Sequence, residues 1–582
     1  MIGRIGILAV VLGIATQHTW SQESSNQHEA ATPTASTPRP DADMRDELNE
    51  VRDLVRAQTQ LLDRQRRQLE RQQAEIDELR GRMGVPAAAQ EDLATTGAAQ
   101  LTEEVATMRT PATATGHVEL AVLSRAVTPP QAPQQAPQQG GEQAERPLSI
   151  HFGKASLTPG GWADFTAIYR TRDVGSGLGT AFATIPYDNT VQGGLSETRF
   201  TSQNSRITLR ADENFAGTRV FGYAEADFNG TLPGNAYVST NSDSLRLRVF
   251  FADLAHGRWE VLGGQSWSMM TPNRVAISPF LSEIYNTLHL DSNYQVGLTY
   301  ARQTQLRTVV RLSPTVEVAL SAENPNQYSG AGATFPALFS TSETDTNSSS
   351  GSTGGATATP SLHPDLISKL AWDPRWLQRH WHLEASGLLT PVAILTPATI
   401  TGTSPRKDIH EGGGLGLGAN LEIAPNLHLI ATGFWSDGGG RYIGGLGPGF
   451  VVEQKGGITS PFEAQLLHSG SGIAAAEWRA THNTIASLTF SSAYFGRQFS
   501  TDPSTGKLVG YGFLGSSNTN NRALEEGTFS TQTTLWRQPG YGAVQMITQS
   551  SYILRAPWYV APGTPRDAHI FSGYANLRYV LP

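Results

Sequence analysis

Apolar and polar residues alternate with a period of two through most of the chain after residue 162. In residues 204–211, Arg206, Thr208 and Arg210 alternate with Ile207, Leu209 and Ala211. Residues 245–254 set Arg246 and Arg248 against Leu247, Val249 and Phe251, and residues 306–312 set Arg307 and Arg311 against Leu306, Val310 and Leu312. A period of two places the two sets on opposite faces of a strand. Weaker versions run through 415–422, 474–480, 484–496 and 544–552, and a last one through 568–581. About sixteen such segments are expected, joined by connectors that are short and long in turn. Short joints fall at 212–217, 255–257, 313–314, 424–426, 481–483 and 538–541. The long connectors are 173–197, 268–293, 324–363 and 436–471. Tight turns on one end and long loops on the other are the signature of a transmembrane barrel. The expected fold is therefore all-β, an antiparallel barrel of about sixteen strands closed by 568–581, because an unpaired strand edge cannot lie in lipid. Trp162, Tyr169, Trp259, Trp372, Trp381, Trp435, Trp478, Trp536 and Tyr541 fall near segment ends, where interfacial rings are expected.

The first 147 residues have a different texture. Arg4 followed by apolar residues 5–15 predicts a signal peptide over 1–21, too short to span as a helix. Residues 22–44 are a polar, disordered lead. From 45 to 83, Leu48, Val55, Leu62, Leu69, Ile76 and Met83 recur every seven residues, with Val51, Gln58, Gln65, Gln72 and Leu79 three positions on. This heptad stripe predicts an α-helical coiled coil that self-associates, a trimer being favoured, with Gln layers fixing register. Residues 84–147 form a Pro/Gln/Ala-rich linker, and 148–582 the barrel. An even strand count puts both barrel ends, and the coil, on the periplasmic side.

Composition narrows the chemistry. Charged residues are only 16% of the 582, glycine numbers 59, and cysteine is absent, which excludes disulfides and thiolate metal sites. Net charge is -8, and no basic excess points to nucleic acid. No G-x-S-x-G elbow is present. The glycines of 412–418 lack a preceding nucleotide-binding unit and suit a tight barrel strand better than a phosphate cradle. His380, His382 and Glu384 could suggest a metal, but a rim or lumen face accounts for them. No catalytic residue, cofactor or metal is expected.

The run Arg206-Ile-Thr-Leu-Arg210, then Gly222-Tyr-Ala-Glu-Ala-Asp227, Arg246-Leu-Arg248, and Trp259-Glu-Val-Leu-Gly-Gly-Gln265-Ser-Trp267 resembles the front half of DcaP-like porins. Ala322-Glu-Asn-Pro325 and the closing Asn576-Leu-Arg-Tyr579 do too. The resemblance extends to the coil and linker. It implies a trimeric, sixteen-stranded outer-membrane channel passing small, often anionic solutes. Such barrels usually end in an aromatic residue, whereas this chain ends Tyr579-Val580-Leu581-Pro582.

By alternation the inward basic set is Arg170, Arg206, Arg210, Arg246, Arg248, Arg307 and Arg311, on early strands that form one wall. Arginine offers fixed donors to carboxylate and stays charged, so such a wall biases passage by sign. The inward acids are Asp164, Glu225, Asp227, Glu317 and Glu477. They either set up a transverse field across the pore or pair with the arginines and stiffen the wall. The connector 268–293 carries Pro272, Phe280, Glu283 and Asp291. Its apolar content predicts that it folds into the lumen as a constriction with Glu283 and Asp291 opposite the arginines, the alternative being a subunit contact. Expected partners are outer-membrane lipid, small hydrophilic solutes, two further copies in a homotrimer, and the cell wall through the coil. The expected function is passive diffusion, against two competitors: a structural tether or adhesin, and a membrane enzyme.

Overall fold

The computed structural model describes residues 148–230, 243–280, 284, 288–330, 332–339, 362–444 and 446–582. The predicted signal peptide, lead, linker and coiled coil, with Leu48, Val55, Leu62, Leu69, Ile76 and Met83, lie outside these residues, as does Glu283.

Sixteen antiparallel strands close into one transmembrane barrel. They are β1 (Ala155–Arg170), β2 (Glu197–Thr201 continued by Arg206–Phe215), β3 (Thr218–Asp227), β4 (Arg246–His256), β5 (Trp259–Trp267), β6 (Arg302–Ser313), β7 (Val316–Glu323) and β8 (Asp365–Trp372). Then follow β9 (Arg379–Thr396), β10 (Arg406–Ala424), β11 (Leu427–Asp437), β12 (His468–Arg479), β13 (Thr484–Phe495), β14 (Asn521–Gln538), β15 (Gly542–Pro557) and β16 (Ala568–Val580). Each pairs with the next, and β16 returns to β1 in a register running from Trp162 opposite Val580 to Arg170 opposite Ser572. Closure leaves no ladder groups facing hydrocarbon.

The turns behave as their sequences dictate. Gly217 and Gly257 take positive φ, and Asn426 supplies the left-handed residue between β10 and β11. At the other end the connectors are long, and that between β11 and β12 carries its own hairpin, Phe450–Gln454 with Phe462–Leu466.

The two faces of the wall divide as the alternation predicts except in β4, where a register shift opposite Glu225 and Ala226 buries Arg248 and Val249 together, so that Val249 and Phe251, expected to meet lipid, pack inside with Phe221 and Trp267. Outward, Phe165, Ile207, Leu209, Leu306, Leu320, Leu417, Leu488, Phe529 and Leu577 are exposed, the arrangement a lipid solvent requires. Exposed rings gather at both ends of this apolar band: Trp259, Trp372, Trp478, Trp536 and Tyr541 at the turn end, Tyr169, Trp435 and Tyr552 at the loop end. Trp162 departs from the expected girdle. It shares the inward face with Asp164 and Thr166, and its ring lies between the guanidinium groups of Arg206 and Arg578, 4.4 and 4.7 Å from the centroid. Inward, Thr166, Ser487, Thr489, Ser491, Thr528, Ser530, Ser572 and Asn576 are buried.

Candidate constriction inside the barrel

The seven arginines lie on β1, β2, β4 and β6, and the carboxylates they meet are on the same or neighbouring strands rather than across the lumen. Arginine strands and carboxylate strands interleave. Glu225 and Asp227 of β3 lie between β2 and β4, Glu260 of β5 between β4 and β6, and Glu317 of β7 beside β6. Neighbouring strands are about 4.8 Å apart, so a cross-strand Arg–carboxylate pair makes direct hydrogen bonds that a pair across the pore cannot. Arg206 Nη1 lies 3.0 Å from Glu225 Oε1. Arg248 donates from Nε to Glu225 Oε1 and from Nη1 to Asp227 Oδ2, both at 2.6 Å. Arg246 grips Asp227 with two bonds of 3.0 and 2.8 Å. Arg311 reaches Glu260 at 2.6 Å and Glu317 at 3.0 Å. Arg210 turns along its own strand to Asp212 at 2.5 Å.

Two members of the set stand apart. Arg170 is wholly buried at the β1–β16 seam, donating to Glu197 at 2.6 Å, to the carbonyls of Gly177 and Leu178, and to the Tyr574 hydroxyl. Arg307 is 2% exposed and makes no ion pair among the described residues; its Nε and Nη2 lack protein acceptors. Asp164 pairs with Arg578 at 2.7 Å and Glu477 with Arg274 at 2.6 Å.

Arg302, at the start of β6, was not among the expected residues, because it shares the parity of the outward Thr304 and Leu306. It stacks on Trp267, whose ring also meets Arg248, at 5.7 and 5.6 Å respectively. Arg302 makes no ion pair among the described residues, and its Nη1 is buried without an acceptor. Around this point Arg206, Arg246, Arg248 and Arg302 share Glu225 and Asp227 among the described residues. The hydroxyl of Tyr294 accepts from Arg248 Nη2 at 2.6 Å. Burial works to raise the Tyr294 phenol, yet Arg248, Arg206 and Arg302 outweigh it and pull it below its ordinary range. Burial instead pushes Tyr300, 5.3 Å away ring to ring, up to about 12.

The connector after β5 runs 268–301, longer than the expected 268–293, and folds into the barrel. A loop crossing a barrel has no neighbouring strand to satisfy its N–H groups, so inward side chains must do so. On the descending limb Met269 N donates to Glu323 at 2.8 Å, Asn273 N to Glu384 at 3.1 Å, Ala276 N to Asp373 at 3.2 Å and Ile277 N to Glu317 at 2.9 Å. Lys369 Nζ donates to Thr271 O, Asn273 Oδ1 and Glu384 Oε2. Pro272 is buried within this limb, and Phe280 packs on Phe221 and Tyr223 at ring distances of 5.1 and 5.9 Å. The returning limb meets the far strands: Leu290 N and Asp291 N to Gln549, Gln295 Nε2 to Ser491, and Val296 N to Glu526. Asp291 is held at the seam, by Thr180 N and by the Tyr574 hydroxyl at 2.9 Å. The glycines of β10 make room: a Cβ at Gly416 would come within 3.3 Å of Met270 Cε and closer still to Ser386 Oγ.

Among the described residues no group of His, Asp and Glu is arranged to hold a metal. His382 is buried against Asp373 at 2.9 Å and Glu384 at 3.3 Å, within the network that holds the loop.

No family model and no curated protein matches the chain. Similar solved structures are outer-membrane channels. They include the channel DcaP of Acinetobacter baumannii (14% identity, 73% of this chain and 97% of that one, TM-score 0.50). Salmonella typhi OmpF (9%, 75% and 100%, 0.40) and Pseudomonas putida OprB (9%, 73% and 94%, 0.38) align less closely. At such identity the likeness is one of fold, and the chain has the fold of the DcaP outer membrane channel.

Proposed function

We propose that this barrel is a passive channel of the bacterial outer membrane, admitting small hydrophilic solutes and favouring anions. The observation that carries the reading is the surplus of guanidinium over carboxylate among the described residues beside the infolded loop: Arg206, Arg246, Arg248 and Arg302 against Glu225 and Asp227. In a narrowed, low-dielectric passage such a surplus attracts anions and repels cations. The infolded loop, with Pro272, Phe280 and Asp291, narrows the lumen, and the wall arginines present donors to solute carboxylates. The heptads of residues 45–83 assemble three copies on the periplasmic side, within reach of the cell wall.

Planar-bilayer recording in a salt gradient tests this. An anion-selective reversal potential is expected, and deletion of residues 272–292 should raise single-channel conductance. A chain that inserts without conducting would favour a tether, and conductance unmoved by the deletion would remove the loop as constriction.

A further inference from the structure

The connector after β1, residues 171–196, also turns into the barrel. Leu178, Thr180, Phe182, Ile185 and Tyr187 are buried, while Asp188, Thr190, Val191 and Leu195 stay exposed. Buried backbone away from a strand ladder needs side-chain partners. At the β1–β16 seam the carbonyls of Gly177 and Leu178 take Arg170 Nη2, both at 3.1 Å. Further on, Asn521 Nδ2 of β14 donates to Ala183 O at 2.9 Å. Arg555 of β15 donates to Ile185 O from Nε and Nη2 at 3.2 and 2.7 Å, and its cation lies 4.9 Å from the centre of the Tyr187 ring. Arg555 is buried, and among the described residues its acceptors are all neutral: Ile185 O, Asn518 O and Asn521 Oδ1. A buried guanidinium with no carboxylate is costly, and its hydrogen bonds to the connector offset that cost.

This connector meets the infolded loop after β5. Asp291 accepts from Thr180 N at 3.0 Å, and Asn293 Nδ2 donates to Thr180 O at 2.8 Å. The two chains run so close here that a Cβ on Gly179 would lie 2.6 Å from Ser292 Oγ. Phe182 and Ile185 then join Met270 and Val296 of the other loop in one apolar cluster. That cluster reaches Val309, Ala319 and Ile367 of β6, β7 and β8 at one wall, and Leu524, Ile553 and Ile570 of β14, β15 and β16 at the other. In a closed ring of sixteen strands β7 and β15 lie halfway round from each other, so they face across the lumen.

From these contacts we infer that the two connectors form one apolar bridge across the lumen, pinned at the far wall by Arg555, and that the bridge sets the bore. The inference rests on the channel reading for its consequence. Apolar side chains packed without solvent leave no path for a hydrophilic solute, so passage runs beside the bridge and its width depends on both halves. Arg555 is a positioning residue: it holds residues 185–187 against β15. Its loss frees the far half to retreat toward the loop end, where residues 188–192 are already exposed.

The absence of native cysteine allows a direct test on the full chain. In the double variant Gly179→Cys, Ser292→Cys, mild oxidation of the folded barrel should join the two connectors, read as loss of maleimide labelling after unfolding. Arg555→Met keeps the bulk of the side chain and removes its donors. It should raise single-channel conductance in planar bilayers and shift polyethylene glycol exclusion to larger polymers. Asn521→Ala, which removes the hold on Ala183, should move both readings the same way by less, and it carries the test if the arginine variant does not insert. Thiols that stay free in the oxidised, folded double variant would overturn the bridge. So would an Arg555→Met barrel with a lower urea midpoint but unchanged conductance and polymer exclusion, since a merely structural arginine would give that result. A double variant that forms the disulfide in a chain that never conducts would keep the bridge and remove the channel reading.

Discussion

Glu317 accepts the backbone N–H of Ile277 on one oxygen at 2.9 Å and the Arg311 guanidinium on the other at 3.0 Å. One carboxylate thus neutralises the wall and holds the loop that crosses it. The same economy recurs at Glu384, which serves Lys369, His382 and Asn273 N together. A barrel interior carries both a charge pattern and the acceptors that an infolded backbone requires, and here the same side chains meet both demands.

Glu384→Ala should therefore do more than remove a charge. It strands the buried Lys369 ammonium and the Asn273 amide, and breaking one side of a buried pair costs about 3–5 kcal/mol. The expected outcome is a lower urea midpoint for loss of the compact electrophoretic form and noisier single-channel current. Glu384→Gln, which keeps an acceptor, should fall between Glu384→Ala and the unaltered chain in both measurements.

Arg302 and Arg248 separate selectivity from stability. Arg302 makes no ion pair among the described residues, so Arg302→Gln removes positive charge without orphaning a carboxylate. Reversal potential should move toward cations with little change in the urea midpoint. Arg248→Gln leaves Glu225 and Asp227 each short of a partner, although Arg206 and Arg246 remain. It should shift selectivity and also destabilise the barrel by about 2 kcal/mol or more. Equal stability losses in the two variants would contradict the distinction.

The strand pattern was legible because lipid outside and polar groups inside impose a period of two on most spans, from Arg206–Ala211 to the closing Phe571–Tyr579, and it slipped in β4, where a register shift buries Arg248 and Val249 together. Where the apolar and polar faces mean something else, the same pattern misleads. Tyr294, Val296, Leu298 and Tyr300 alternate like a strand, yet they belong to the infolded loop, and Val296 and Leu298 are buried inside the barrel. Trp162 looks like a girdle residue and is instead an inward platform for two arginines. An inward Glu323, Glu384, Glu526 or Gln549 reads the same in sequence whether it faces water or a loop N–H, so the loop's anchors were not identified. The interleaving of acids and arginines could have been found by aligning the strands: Arg206, Asp227 and Arg246 fall into one row once β2–β4 are paired.

Gly416 tests whether the loop is packed against the far wall. Its missing side chain faces inward, where a Cβ would meet Ser386 Oγ and Met270 Cε. Gly416→Val should cost about 1–3 kcal/mol by overpacking, or displace the descending limb at Met270. A lowered urea midpoint or a changed conductance would register either response. A variant with both measurements unchanged would show that the limb does not rest there.

Leu488 decides which solvent surrounds the barrel. It lies at the middle of β13, opposite Ala476 and Phe529, and is 63% exposed on the outer face. In water, replacing so exposed a leucine by arginine would change stability by no more than about 0.5 kcal/mol. In a bilayer midplane the same change costs about 2–4 kcal/mol, falling toward zero near the interfaces. Leu488→Arg should therefore destabilise the barrel severalfold more than Leu488→Ala when folding is followed by urea titration in lipid vesicles. Trp478→Arg, near the turn end of the neighbouring β12, should cost much less than Leu488→Arg. The depth dependence is the decisive feature, because a stacked or soluble sheet could lose stability at one position but would not grade the penalty along a strand.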